Sequence, residues 1–150
     1  MRTKHRKAAQ HKRMQRDYCT HQRVIGKAQT LTPAEQTECA LPVRLAWEAL
    51  RKGTATGSDY RSLSDAIQIC TAASEFIDPF LEETCFAAAQ ALCGIADRYE
   101  RVGKLGVDAA SLRDIPPALE FYEELLRTAT AGQLFEWMQA VARAREGVAA

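Results

Sequence analysis

A chain of 150 residues, 47% hydrophobic and 26% charged with 8 Gly and 5 Pro, is long enough to bury one ordinary core, and its composition excludes collagen-like, low-complexity and wholly disordered classes. Twenty Lys and Arg against nineteen Asp and Glu leave a formal charge of +1. No run of 18 apolar residues occurs and no apolar stretch follows the basic N-terminus, which argues against a membrane span or a secretory leader and points to the cytoplasm.

The two signs of charge are segregated along the chain. Residues 1–27 carry Arg2, Lys4, Arg6, Lys7, Lys12, Arg13, Arg16, Arg23 and Lys27 against the single acid Asp17, or +8. Residues 28–150 hold eleven basic and eighteen acidic side chains, or −7. All three histidines, His5, His11 and His21, also fall in the first segment. Within residues 1–17 the one large apolar side chain after Met1 is Met14, too little apolar surface to offset the entropy of ordering, so this arm is expected to be mobile when free and able to turn helical on a partner. Residues 18–31 offer Tyr18, Val24, Ile25 and Leu31 to pin it to the body. The organisation is thus a basic arm, 1–27, and a domain, 28–150.

The domain reads as helices throughout. Thr32-Pro33-Ala34-Glu35 is a capping box with proline at the first helical position, opening a helix that stops at Gly53. Pro42 predicts a kink or break near Leu41, after which Val43, Ala46, Trp47 and Leu50 form a stripe. Ser58 or Asp59 caps a second helix running to Phe76 or Ile77, with Tyr60, Leu63, Ile67, Cys70, Ala73 and Ile77 on one face. Asp78-Pro79 starts a third, whose Leu81, Cys85, Ala88, Leu92, Ile95, Tyr99 and Val102 form a heptad seam that ends at Gly103. Its outward face carries Glu82, Glu83, Asp97, Arg98, Glu100 and Arg101. Residues 103–117 predict an irregular connection with a short helical turn near 109–113, and Pro116-Pro117 opens a fourth helix bearing Ala118, Leu119, Tyr122, Leu125 and Leu126. Thr130-Ala131-Gly132-Gln133 caps a last helix with Leu134, Met138, Val141 and Arg145 at 4, 3, 4 spacing. No alternating strand pattern is present, so the expected fold is all-α: a single small antiparallel bundle of four to five helices with a basic N-terminal arm. The third seam fits the inside of one bundle or a dimer equally well.

Chemistry is sparse. There is no Gly-x-Ser-x-Gly, Ser-x-x-Lys or phosphate-binding glycine loop. The domain has no histidine, so a di-metal carboxylate site is not expected, and Glu120, Glu123 and Glu124 read as a solvated face. His5, His11, Cys19 and His21 match no zinc spacing, and a Cys19–His21 pair lacks rigid support. The five cysteines, Cys19, Cys39, Cys70, Cys85 and Cys93, are odd in number and widely spaced, as reduced thiols are. Trp47 and Trp137 lie in apolar stripes and are expected in the core. No enzyme activity, cofactor or metal is expected. Nine cations in 27 residues suit a nucleic acid or another anionic assembly, with only Tyr18 for stacking. A solvated tail, or a tail docked on the acidic body, fits the same composition. The −7 body itself suits a basic protein surface.

Met1-Arg-Thr-Lys-His-Arg, Leu31-Thr-Pro33, Ala46 through Leu50 before Gly53-Thr54, and Tyr60-x-x-Leu63-x-x-Ala66-Ile67 resemble small helical proteins encoded by bacterial prophages and integrative elements. The resemblance covers most of the chain but rests on packing and capping residues, and it brings no functional residue with it. It implies an accessory gene of a mobile element, which often acts by binding host machinery. Together these features predict a non-catalytic interaction protein that binds a host protein or ribonucleoprotein, inhibition of a defence complex being one form, with Glu82, Glu83, Asp97 and Glu100 as partner-binding positions. The alternative is a nucleic-acid-binding accessory protein acting on DNA or RNA through the nine basic residues of the arm.

Overall fold

The computed structural model describes residues 28–149, and these form five helices: α1 (Pro33–Lys52), α2 (Gly57–Ile77), α3 (Pro79–Val102), α4 (Ala109–Thr128) and α5 (Ala131–Ala149). They pack around one core as an all-α bundle. Each start is fixed locally. At α1 the Thr32 hydroxyl accepts the Glu35 N–H at 3.3 Å while the Glu35 carboxylate accepts the Thr32 N–H at 2.8 Å. At α5 the Thr130 hydroxyl and the Gln133 side chain reciprocate in the same way, at 3.2 and 3.0 Å. Asp78 caps α3 through the Phe80 N–H at 2.9 Å, with Pro79 at the position where a missing N–H costs nothing. Gly53 and Gly103 end α1 and α3 in the left-handed region, φ 72° and 69°, where any other residue would be strained.

Consecutive helices run antiparallel. The Tyr60 hydroxyl, near the start of α2, donates to the Leu92 carbonyl in the second half of α3 at 2.9 Å; α1 and α4 are also antiparallel, with Gln36 beside Arg127, Glu48 beside Pro116 and Arg44 forked onto Glu123 between them at 2.5 Å. Every other helix packs against α2, and between Asp59 and Ser74 only Arg61 is exposed. This enclosure explains the small side chains of α2: Ala66, Cys70, Ala73 and Ser74 are buried at close helix crossings, with Leu63 and Ile67 filling the space between. Such burial leaves polar groups no water, and Ser74 donates to the Thr71 carbonyl at 2.8 Å.

Several sequence expectations are corrected by this packing. Pro116-Pro117 does not open a helix; both prolines lie inside α4, which begins at Ala109, where Asp108 accepts the Ser111 N–H and hydroxyl at 2.8 and 2.6 Å. Ser111 and Ile115 are buried on the same side as Ala118 and Tyr122, whereas Pro117 and the residue whose carbonyl its ring crowds, Arg113, face water. The apolar face therefore continues across the prolines. Pro42 likewise sits on the exposed side of an unbroken α1, so no break occurs at Leu41. The α2 cap is Thr56, not Ser58 or Asp59: Asp59 is the third helical residue and its carboxylate accepts the Thr56 N–H at 2.7 Å. On α5 the inner positions are Leu134 and Trp137, while Met138 is 55% exposed; Arg145 reaches Asp65 of α2. Arg98 is not an outward residue. It pairs with Asp108 and donates to the Gly106 carbonyl at 3.2 Å, clasping the 103–108 connection, whose Leu105 is tucked into the core.

Candidate interaction surface

The nine basic arm positions, Arg2, Lys4, Arg6, Lys7, Lys12, Arg13, Arg16, Arg23 and Lys27, with His5, His11, Cys19 and His21, lie outside the described residues. The structure shows where the arm joins. The Gln29 carbonyl accepts the Ala131 N–H at 2.8 Å, Thr30 bridges Thr130, and the Leu31 carbonyl accepts the Gln36 side-chain amide at 2.9 Å. The chain thus enters the bundle at the end shared by the α1 and α5 N-termini and the α4 C-terminus.

The tight α2–α3 turn, a single residue at Asp78, lies at that same end, because α2 runs down beside α1 and α3 rises beside α4. Here the helix-face logic of the sequence fails. Ile77 is 53% exposed, and Phe76 and Phe80 are 80% and 79% exposed; Phe86, farther along α3, is also exposed. Around them stand Glu75, Asp78, Glu82 and Glu83, all exposed. From residue 62 to residue 97 the chain contains no Lys, Arg or His, and among the described residues no ion pair reaches any of these four carboxylates. Exposed Phe76, Ile77 and Phe80 beside four carboxylates that no ion pair among the described residues reaches mark out this end of the bundle.

The four carboxylates singled out in the sequence are thereby split. Glu82 and Glu83 belong to this end. Asp97 and Glu100 lie near the opposite end of α3, where Glu100 and Tyr60 line a hollow of about 230 Å³ with Tyr99, Ala96 and Leu105. Burial, with Cys93 and Asp97 nearby, raises the Tyr60 hydroxyl above its ordinary pKa. Sequence reasoning missed Phe76 and Phe80. The signal available was two phenylalanines beside the helix-terminating Asp78-Pro79, at positions off the apolar stripes of both helices.

A second concavity, about 340 Å³, runs between α1 and α4. Val43, Trp47, Leu119 and Tyr122 wall it, and Glu48 and Glu120 stand at its rim. The Arg44–Glu123 pair separates it from a smaller hollow beside Gln36 and Arg127. Its hydrogen bond to Arg44 holds the Glu123 carboxyl below the usual range, and burial pushes the Tyr122 hydroxyl up to about 12, so at neutral pH one is ionised and the other is not. Trp137 is buried, whereas Trp47 is half-buried on the groove wall. Cys70 and Cys85 are packed together in the core, and the hydrogen bond to Cys85 together with burial keeps the Cys70 thiol far above the ordinary thiol range, which makes it unreactive. Cys39 and Cys93 are free and exposed. Among the described residues, no group of three or more His, Cys, Asp or Glu side chains is placed to hold a metal ion, and no helix is long and apolar enough to cross a membrane.

No protein-family model, no curated protein and no solved structure matches this chain.

Proposed function

We propose that the protein is a non-catalytic interaction protein whose α2–α3 end docks a basic, apolar segment of a partner protein. The observation that supports this reading is the coincidence of Phe76, Ile77 and Phe80 at the surface with Glu75, Asp78, Glu82 and Glu83 around them. Exposed aromatics in the middle of a patch supply binding energy by desolvation, and a rim of one charge sign selects the partner and speeds encounter. The resemblance to prophage and integrative-element proteins favours a host partner, a protein or a ribonucleoprotein, with a defence complex as the case of most consequence.

The test is a capture experiment with the full chain and a Phe76→Ser/Phe80→Ser variant, both immobilised and exposed to host lysate, with bound proteins quantified by mass spectrometry. Both side chains are exposed, so the variant keeps the fold. Aromatic anchors are worth about 2 kcal/mol each when truncated, so a genuine partner retained by the parent is lost from the variant. Equal retention by both proteins, or retention by neither, rejects the reading.

The charge segregation favours a second reading, in which the arm binds DNA or RNA. Six of the eleven basic residues in the body are held in ion pairs, whereas the arm carries nine basic residues against one acid, which favours the arm for phosphate binding. For the full chain on a duplex, log affinity then falls with log salt by about 0.9 per phosphate contacted. Replacing Arg13, Arg16 and Arg23 with Ser reduces that slope; an unchanged slope excludes arm-mediated binding.

A further inference from the structure

We propose that the resident occupant of the α2–α3 end is this chain's own arm: residues 12–27 lie across Phe76, Ile77 and Phe80 until a partner displaces them. The inference rests on the reading of that end as a docking surface and adds what fills it first.

The hydrogen bond from Ala131 to Gln29 and the Thr30–Thr130 bridge deliver the arm to the end of the bundle where α2 stops and α3 starts. Reach is ample. Sixteen residues span about 24 Å as a helix, and neighbouring helix axes stand only about 8–10 Å apart. The charges are complementary. Lys12, Arg13, Arg16, Arg23 and Lys27 against Asp17 give this segment +4, and Glu75, Asp78, Glu82 and Glu83 give the end −4. Residues 62–97 contain no cation, and Arg61, Arg98 and Arg101 stand at the far ends of these two helices. The same segment supplies Met14, Tyr18, Val24 and Ile25 among its cations, apolar side chains for the exposed Phe76, Ile77 and Phe80 to bury. One set of cations then serves two anionic surfaces. Engagement of the arm by a polyanion uncovers the end, and occupancy of the end withholds the arm.

The experiment uses the full chain at low micromolar concentration with the photoreactive residue p-benzoylphenylalanine placed at Phe80, and in a second protein at Tyr99 at the far end of α3, which is half exposed. After irradiation the mass of the product and the linked peptides are read. Expected is a cross-link from position 80 to a peptide within residues 12–27 at monomer mass, and none to the arm from position 99. Its yield falls about fivefold in roughly 0.5 M salt, where screening is felt within a few ångströms, and by a similar factor when Arg13, Arg16 and Arg23 are replaced with Ser. No link to the arm, equal links from both positions, or links found only at dimer mass each overturn the proposal, the last assigning the end to a second copy. The two readings fail separately: a partner captured through Phe76 and Phe80 without any cross-link to the arm removes the strap and leaves the docking surface standing.

Discussion

Pro117 is the ninth residue of α4 and has no N–H to offer the Arg113 carbonyl, which its ring also crowds. A proline in a helix interior costs about 3 kcal/mol relative to alanine. Two terms reduce what a Pro117→Ala substitution recovers. Arg113 is on the solvent side, so water already meets part of the need of its carbonyl, and proline narrows the unfolded ensemble by about 0.4–1 kcal/mol. A third term works the other way, because Pro116 is relieved of the restriction that a following proline imposes. The net expectation is a gain of about 1–2 kcal/mol, or roughly 3–6 °C in Tm for a domain of this size. Thermal denaturation of the full chain followed by circular dichroism measures it. Pro79→Ala is the internal comparison: at the first position of α3 the missing N–H is harmless and the preset φ is useful, so that variant loses about 0.5 kcal/mol. The same exchange therefore has opposite signs at the two sites. If Pro117→Ala lowers Tm, as it would with the prolines opening a helix, the continuous α4 is refuted.

Two further outcomes follow from the packing and the electrostatics. Ile67, fully buried in a helix enclosed by all four others, leaves a cavity that cannot collapse when cut to Ala, so Ile67→Ala loses about 3–4 kcal/mol in guanidinium unfolding; a loss no larger than that of exposed Leu45→Ala would contradict the central placement of α2. Hydrogen bonds from the Ser111 hydroxyl and N–H, with Arg98 alongside, hold the Asp108 carboxyl below its ordinary value of 3.8. Its contribution is therefore complete above about pH 4 and is lost as pH falls through the depressed folded value. Asp108→Ala costs about 1 kcal/mol at neutral pH, typical of a lost N-cap, and the gap to the parent closes in acid; a gap that stays constant down to about pH 2 speaks against the carboxylate as cap.

Helix identity and most boundaries were legible because their determinants act within one turn. The reciprocal pairs Thr32 with Glu35 and Thr130 with Gln133, the Asp78-Pro79 start and the glycine stops at 53 and 103 are satisfied by residues three or four positions away. The centres of the stripes, Leu63 to Ala73 and Cys85 to Ile95, were legible for the same reason: helical period alone assigns them a common face. Tertiary structure alone decided where each face stops being covered. Ile77, Tyr99, Val102 and Met138 continue a periodic pattern yet stand exposed, because burial depends on the length and tilt of neighbouring helices, which no local spacing encodes. The prolines of α1 and α4 are tolerated for a related reason: the contacts of Val43 and Ala46, and of Ile115 and Ala118, hold the helix together on the core side while the lost hydrogen bonds face water. The sequence by itself determined the charge segregation, the all-helical class, the starts of α1, α3 and α5 and the glycine stops of α1 and α3. Only the packed bundle set α2 at its centre and brought Phe76, Ile77 and Phe80 among four carboxylates at the end where the basic arm arrives, since that juxtaposition needs five helices to find their places first.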